Sequence, residues 1–325
     1  MTKKINWGII GLGKIANKFA KDLALVEDAE LTAVASRSLE KAKTFAEAHQ
    51  VESYYDNYQS LFDNPDIDIV YIATPHNSHM EFSIQVMNAG KHVLCEKPLA
   101  VNKNQVQQMI EASKRNQVFL MEAFWTRFNP SMVSILEKIE SGMIGQVNYI
   151  NADFCFYKDA PAESRMYNME LAGGSLLDVG VYPIFLAYQI YGYPKEILAS
   201  ARFHETGADL QTSIILTHEN GMASLFSGFD SQSDMVAKIY GRNGSIMMDD
   251  PWHHTDGYNI IKDGTSERFD LPLKGMGFSY EIEECHKCLL NGEIQSQLWS
   301  HQNSLDLIRI TDEIRSQIGL KYPFE

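Results

Sequence analysis

Along the first third of the chain, apolar runs alternate with stretches whose apolar positions recur every three or four residues. "INWGII" (5–10), "ELTAVAS" (30–36), "DIDIVYIAT" (66–74), "HVLCE" (92–96) and "VFLME" (118–122) read as strands. Helical spacing fills the intervals, from Lys14 to about Val26, onward to about Ala48, from about Ser78 to Asn88 and over 103–115. This alternation predicts a parallel sheet with right-handed crossovers, covered by helices on both faces.

The pattern then changes. After a helical stretch near 131–141, strand-like runs crowd together at 146–157, 196–205, 211–217, 222–228, 235–240 and 245–249. Successive strands without helices between them predict a largely antiparallel sheet in a second domain. A glycine-rich passage, "LAGGSLLDVGVYPIFLAYQIYG", interrupts them, and its second half reads as a helix. Helices near 279–291 and 301–318 follow, and no internal repeat stands out. The class is therefore α/β, with a parallel-sheet domain over 1–122 and a second domain over 123–325.

Composition narrows the partners. The 325 residues are 45% hydrophobic and 22% charged, ordinary for a soluble protein with a substantial core. A formal net charge of −14 argues against nucleic acid or an anionic membrane as the main partner. No run approaches the roughly 18 consecutive apolar residues of a membrane span. The apolar run at the N-terminus is broken by Gly8, Gly11 and Gly13 and stopped by Lys14, so it reads as a strand rather than a leader, and the expected setting is cytoplasmic. Four cysteines suggest no disulfide framework; Cys285 and Cys288 sit in a helical apolar pattern, which reads as packing rather than a metal or redox pair.

Candidate chemistry gathers at predicted strand ends. Gly11-x-Gly13-x-x-Ala16 follows the first strand and opens a helix. The first glycine permits a tight turn, the second a close approach of pyrophosphate, and the small third residue close helix packing. With Lys14 and Ile15, these residues are the phosphate-binding candidates, supported by the free N–H groups of a helix start. At the end of the second strand, where NAD enzymes commonly carry an acid, stand Ser36 and Arg37, with Lys41 one helical turn on. Those groups suit a 2′-phosphate, so NADP is expected over NAD. "IATPHNSH" supplies Thr74, Pro75, Asn77 and His79 to the same crevice. "HVLCEKPLAVN" ends a buried strand in Glu96, Lys97 and Pro98, and the proline holds Lys97 out of the helical region. A lysine there can meet Glu96, the cofactor ribose or a substrate oxygen.

"GLGKIA", "YIATPHNSH", "GKHVLCEKPLAVN", "MEAFWTRFNP" and "GGSLLDVGVYPI" together resemble the glucose–fructose oxidoreductase / inositol dehydrogenase / rhizopine catabolism (Gfo/Idh/MocA) family. The likeness is greatest to its dimeric dihydrodiol dehydrogenase and NADP-dependent D-xylose dehydrogenase branch. It implies a dinucleotide-binding Rossmann domain followed by a C-terminal domain with a large, open, mostly antiparallel sheet, the latter used for substrate binding and homodimerisation. It also implies hydride transfer to or from a sugar or trans-dihydrodiol at the domain interface, with Lys97 and Tyr182 as the catalytic pair and Asp178 orienting the substrate or Lys97. Many branches carry histidine four residues after the aspartate; Tyr182 is the dihydrodiol dehydrogenase form. A free tyrosine titrates near ~10, and a neighbouring ammonium favours its phenolate. Spacing sets Asp178 and Tyr182 one turn apart on one helix face.

Trp125 and Arg127 follow the last strand of the first domain and are expected to border the cofactor, with His79 near the nicotinamide side; the resemblance implies that Trp125, Phe154, Trp252 and Phe278 form an aromatic substrate wall. His253 and His254 receive no assignment. Two alternatives use the same scaffold: a nucleotide-sensing regulator, and a glucose–fructose oxidoreductase type with tightly held nucleotide. Retention of both Lys97 and Tyr182 disfavours the sensor.

Overall fold

The computed structural model describes residues 4–325. Contacts divide the chain into two units: Met1–Phe128 with Lys274–Leu305, and Asn129–Leu273 with Asp306–Glu325. The first contains β1 (Ile5–Ile10), α1 (Lys14–Leu23), β2 (Ala29–Ala35), α2 (Leu39–His49), β3 (Ser53–Tyr55), α3 (Tyr58–Phe62), β4 (Ile69–Ile72), α4 (His79–Asn88), β5 (His92–Glu96), α5 (Lys103–Asn116) and β6 (Leu120–Ala123). Its six strands lie in the order β3-β2-β1-β4-β5-β6, all neighbours parallel. β4 and β6 are buried throughout, as expected of a sheet covered on both faces. Each fully buried Ile or Leu in them contributes about 1.5–3 kcal/mol. The strand order reverses between β1 and β4, and such a switch point opens a crevice at the strands' carboxyl ends.

The second unit holds α6 (Pro130–Glu140), β7 (Val147–Cys155), α7 (Val181–Tyr191), β8 (Glu196–Phe203), β9 (Asp209–Thr217), β10 (Met222–Gly228), β11 (Ala237–Gly241), β12 (Ser245–Met248), β13 (Gly257–Lys262) and β14 (Thr265–Asp270). Among the described residues these strands form one sheet in the order β14-β13-β12-β11-β7-β10-β9-β8. Every neighbour pair is antiparallel except β7 with β10. Ile150, Leu225, Leu216 and Ile239 are buried on the face against which α7 packs. By mean hydropathy the stretch Met169–Tyr191 is long and apolar enough to match a membrane span, although Glu170 and Asp178 interrupt it and no unbroken apolar run of that length exists, as expected. Yet 89% of its apolar window is buried inside the protein, so this apolarity serves the core.

The division expected at 122/123 differs from the contact-based one. α8 (Ser279–Leu290) belongs to the first unit, and α9 (His301–Ile318) follows it. The reason is local packing. Trp7 of β1 sends its indole nitrogen to within 3.0 Å of His286 Nε2, and the backbone N–H groups of Met276 and Phe278 donate to the Asp22 carboxylate of α1 at 2.9 Å. Cys285 and Cys288 lie buried on α8, as free thiols.

Candidate active site

Gly11 ends the first strand's turn with φ +81, and a Cβ built on it would come within 2.4 Å of the Ala73 carbonyl and 2.5 Å of Thr74 N. The turn therefore lies directly against the end of β4, at the switch point, and only glycine fits it. Around Gly13 the space is open, the nearest atom to an added Cβ being Gly11 O at 3.8 Å. Ala16 is fully buried. Helices α2 and α5 begin with side-chain caps, Ser38 on Lys41 N and Asn102 on Gln105 N, whereas α1 begins at Gly13 with no side-chain cap and no acid in its first turn. An open glycine turn and uncapped N–H groups fit a dinucleotide pyrophosphate. Lys14 is exposed and Ile15 half-buried on the first turn of α1.

At the end of β2, Ser36 is buried, its N–H donated to Tyr55 O and its hydroxyl oxygen accepting from Ser38 N at 3.3 Å. Arg37 and Lys41 are exposed. Burial pushes the ionisation of the Tyr58 hydroxyl up, and the nearby Arg37 guanidinium draws it back. A shallow groove of about 340 Å³ has Leu12, Asn17, Ser38, Glu40, Lys41 and Phe45 in its lining. Across the switch point, Thr74 is buried and its hydroxyl accepts from Ser78; Pro75 and Asn77 are half-buried in the turn before α4. His79 is fully buried with both ring nitrogens facing backbone carbonyls, so it takes the place of an internal brace rather than an open ligand to the cofactor.

Glu96 is buried at the end of β5, its carboxylate accepting from the Tyr71 hydroxyl and, at 3.2 Å, from Lys97 N. Lys97 is half-buried, and the Lys97–Pro98 peptide is cis. The next strand adds Glu122, which accepts from Leu99 N at 2.8 Å and from the Trp299 indole at 3.0 Å. Burial pushes the Glu122 carboxyl up, with its hydrogen bonds and the Lys97 ammonium opposing. Neither Tyr71 nor Glu122 was anticipated; their signal was a polar side chain inside an otherwise apolar strand.

In the second unit, residues Leu176–Gly180 wind as a π-helix and α7 starts at Val181, so Asp178 and Tyr182 do not share one regular α-helical face as expected. Pro183 offers no N–H to the first turn of α7, which keeps the regular ladder from extending back through Asp178. The segment is pinned by Asp209, fully buried, whose Oδ2 accepts from Ser175 Oγ at 2.7 Å, Leu176 N at 2.8 Å and Thr212 Oγ1 at 3.0 Å. Burial raises the Asp209 carboxyl to about 6 despite those donors. Gly174 makes the approach possible, since a Cβ there would lie 2.1 Å from Asp209 Oδ1. Asp178 is paired with Arg165 at 2.9 Å, a partner from a long loop that periodicity could not place.

The expected aromatic wall falls into two groups. Trp125 stacks on Phe278 with ring centres 4.8 Å apart in the first unit. Phe154 lies 5.3 Å from Tyr182 and stacks on His253 at 4.2 Å in the second, with His253 also 5.2 Å from the Tyr182 ring. Trp252 is fully buried and donates its indole N–H to Asp153 O at 2.7 Å, so it supports its neighbour His253. Arg127 donates from Nε to Leu298 O at 3.1 Å. His253 was a missed member of the group, readable only as an aromatic-capable neighbour of Trp252.

Family comparison agrees with this geometry. Residues 5–124 match the oxidoreductase family, NAD-binding Rossmann fold, and residues 132–247 match the GFO/IDH/MocA C-terminal domain. The chain is 37% identical over 333 residues to trans-1,2-dihydrobenzene-1,2-diol dehydrogenase of Xenopus tropicalis, covering 98% of this chain and 99% of that one. It is 33% identical over 366 residues to D-xylose 1-dehydrogenase (NADP(+)) of Hypocrea jecorina, covering 98% and 93%. A 3-ketoreductase from Actinomadura kijaniata, solved with NADP and TDP-benzene, superposes with a TM-score of 0.88 at 27% identity over 97% of this chain and 98% of that one. With an open glycine turn at the switch point of a parallel sheet, and family matches over both halves, this chain belongs to the Gfo/Idh/MocA oxidoreductase family.

Proposed function

We propose that the protein is an NADP-dependent oxidoreductase acting on a hydroxyl-bearing carbon of a sugar or trans-dihydrodiol. The observation that carries the reading is the crevice at the ends of β1, β4 and β5, where an uncapped glycine turn after β1 and Lys97 after β5 flank the end of β4. The relatives' named substrates and the NADP in the solved structure support the substrate class and the cofactor. Gly11, Gly13, Lys14, Ile15 and Ala16 would hold the pyrophosphate, and Ser36, Arg37 and Lys41 the 2′-phosphate. When bound, the nicotinamide supplies the hydride-accepting carbon. Thr74, Pro75, Asn77, Glu96, Trp125 and Arg127 would border the cofactor.

Tyr182 and Lys97 are the proposed acid–base pair. The phenol takes the substrate hydroxyl proton, and the ammonium favours its ionised form. Asp178, held by Arg165, orients the substrate; Phe154, Trp125, Phe278 and His253 offer ring faces to its C–H groups, with Trp252 supporting His253. The reading is tested by following reduced-nicotinamide absorbance with purified protein, NADP⁺ or NAD⁺, and D-xylose, D-glucose or a trans-dihydrodiol. NADP⁺-dependent turnover is expected with one of these classes. Failure to bind either nucleotide would overturn it.

We also propose a homodimer through the open face of the second sheet. Strand pairing sets Met222 beside Tyr149, Tyr149 beside Tyr240, Tyr240 beside Ser245 and Ser245 beside Ile261, so one row crosses five strands on one face. Met222, Tyr149, Tyr240 and Ile261 are exposed, as is Leu198 on β8, and such a band suits an isologous contact. The proposed setting is cytoplasmic, supported by four buried thiols left as free cysteines.

A further inference from the structure

His79 opens α4, and each of its ring nitrogens meets a backbone oxygen: Nδ1 lies 2.9 Å from Pro98 O and Nε2 2.8 Å from Thr74 O. Carbonyl oxygens only accept, while a neutral imidazole carries one N–H and one lone pair. A neutral ring would therefore press a nitrogen lone pair against an oxygen lone pair at a site with no solvent exposure. An imidazolium, with two N–H donors, satisfies both contacts. We propose that His79 is a doubly donating imidazolium strut that ties the end of β4 to the end of β5 and so positions Lys97.

The strut joins two parts of the crevice. Thr74 forms the wall against which the Gly11 turn is packed, and Pro98 follows Lys97 directly. Through His79, the wall of the phosphate turn and the lysine turn are held at one spacing. The other titratable groups on the surrounding strands and turn are Tyr71 in β4, His92, Cys95 and Glu96 in β5, Lys97 just after it, Glu122 in β6, and His76, whose ring stands edge-on at 5.6 Å. His79 is a positioning residue: it acts on the reaction through the backbone of its neighbours. The inference rests on the reading of Lys97 as one of the acid–base pair.

The test uses the full chain with ¹⁵N-labelled histidine. At about pH 8, where an ordinary histidine is neutral, both His79 nitrogens are expected at imidazolium shifts, with signals assigned by their loss in His79→Gln. A neutral-tautomer pattern overturns the strut. His79→Gln is expected to lower kcat by about tenfold or more while NADP affinity moves less than about threefold. Val106→Ala, a buried change in α5, serves as the control for lost stability alone, and its kcat is expected to stay within about twofold. Equal kcat losses in the two variants would overturn the positioning role, and should His79→Gln fail to fold, His79→Asn supplies the assignment by which the wild-type spectrum decides the charge state. Full turnover by Lys97→Ala would sink the acid–base reading, and with it the positioning of Lys97. The ring-nitrogen spectrum would still report the strut, so the two failures are distinguishable.

Discussion

Tyr182 is buried against the stacked rings of Phe154 and His253, so Tyr182→Phe keeps its packing and removes only the hydroxyl. The expected result is a loss of about 10²–10⁴-fold in kcat with NADP binding retained, measured by absorbance and by fluorescence titration. Unchanged turnover would remove Tyr182 from the mechanism. Arg37 is exposed just past the end of β2, near the Tyr58 hydroxyl. Arg37→Ala is expected to weaken NADP by about 10–100-fold and NAD by far less, because a charge-assisted hydrogen bond contributes about 1.5–3 kcal/mol. Equal losses would sink the 2′-phosphate assignment. Gly11 and Lys97 were legible because each is an unusual residue type at a strand end. Glu122, Arg165 and His253 were not, since long-range folding brings them to their partners from distant segments.

Elements with strong periods were read nearly to their ends: α6, α8 and α9 were expected at 131–141, 279–291 and 301–318 and run 130–140, 279–290 and 301–318. The β13–β14 hairpin was missed. β14 is an edge strand, mostly exposed, and its "TSERFD" lacks an apolar face. The signal was the turn instead: Asp263 and Gly264 both adopt positive φ, the pairing that an Asp-Gly hairpin requires. The π-helix at 176–180 was also hidden, because it depends on Asp209, more than thirty residues away by the 33-residue separation of its bond to Leu176. That anchor carries a pH signature. Asp209 is raised to about 6 in the fold from an ordinary 3.8, so the folded state holds its proton more tightly than the unfolded one. Its stabilising effect is full below the unfolded value and is lost as pH rises through about 6. Thermal unfolding of the wild type relative to Asp209→Asn should therefore fall between about pH 4 and 7, by on the order of 2–3 kcal/mol. A pH-independent difference would show that the carboxyl does not titrate there.

For the whole molecule, the two-sheet plan was legible from one change of pattern, strands alternating with helices and then strands following strands. The discontinuity of the first unit was not, because α8 carries ordinary helical spacing and nothing local tells which sheet it covers. Sedimentation tests the proposed assembly: Met222→Asp with Tyr240→Asp is expected to turn a dimer into a monomer while leaving each sheet intact, since both side chains face outward. A wild-type monomer would sink the proposed dimer. The chain's route also bears on its birth at the ribosome. Segment 274–305 emerges last but one, after the entire second sheet, yet it supplies the partners of Trp7 and Asp22. The nascent parallel sheet must therefore wait, with the surface destined for α8 uncovered, while residues 129–273 are translated. That interval is when a chaperone has something to hold, and a message truncated after Phe128 would leave the wait unended.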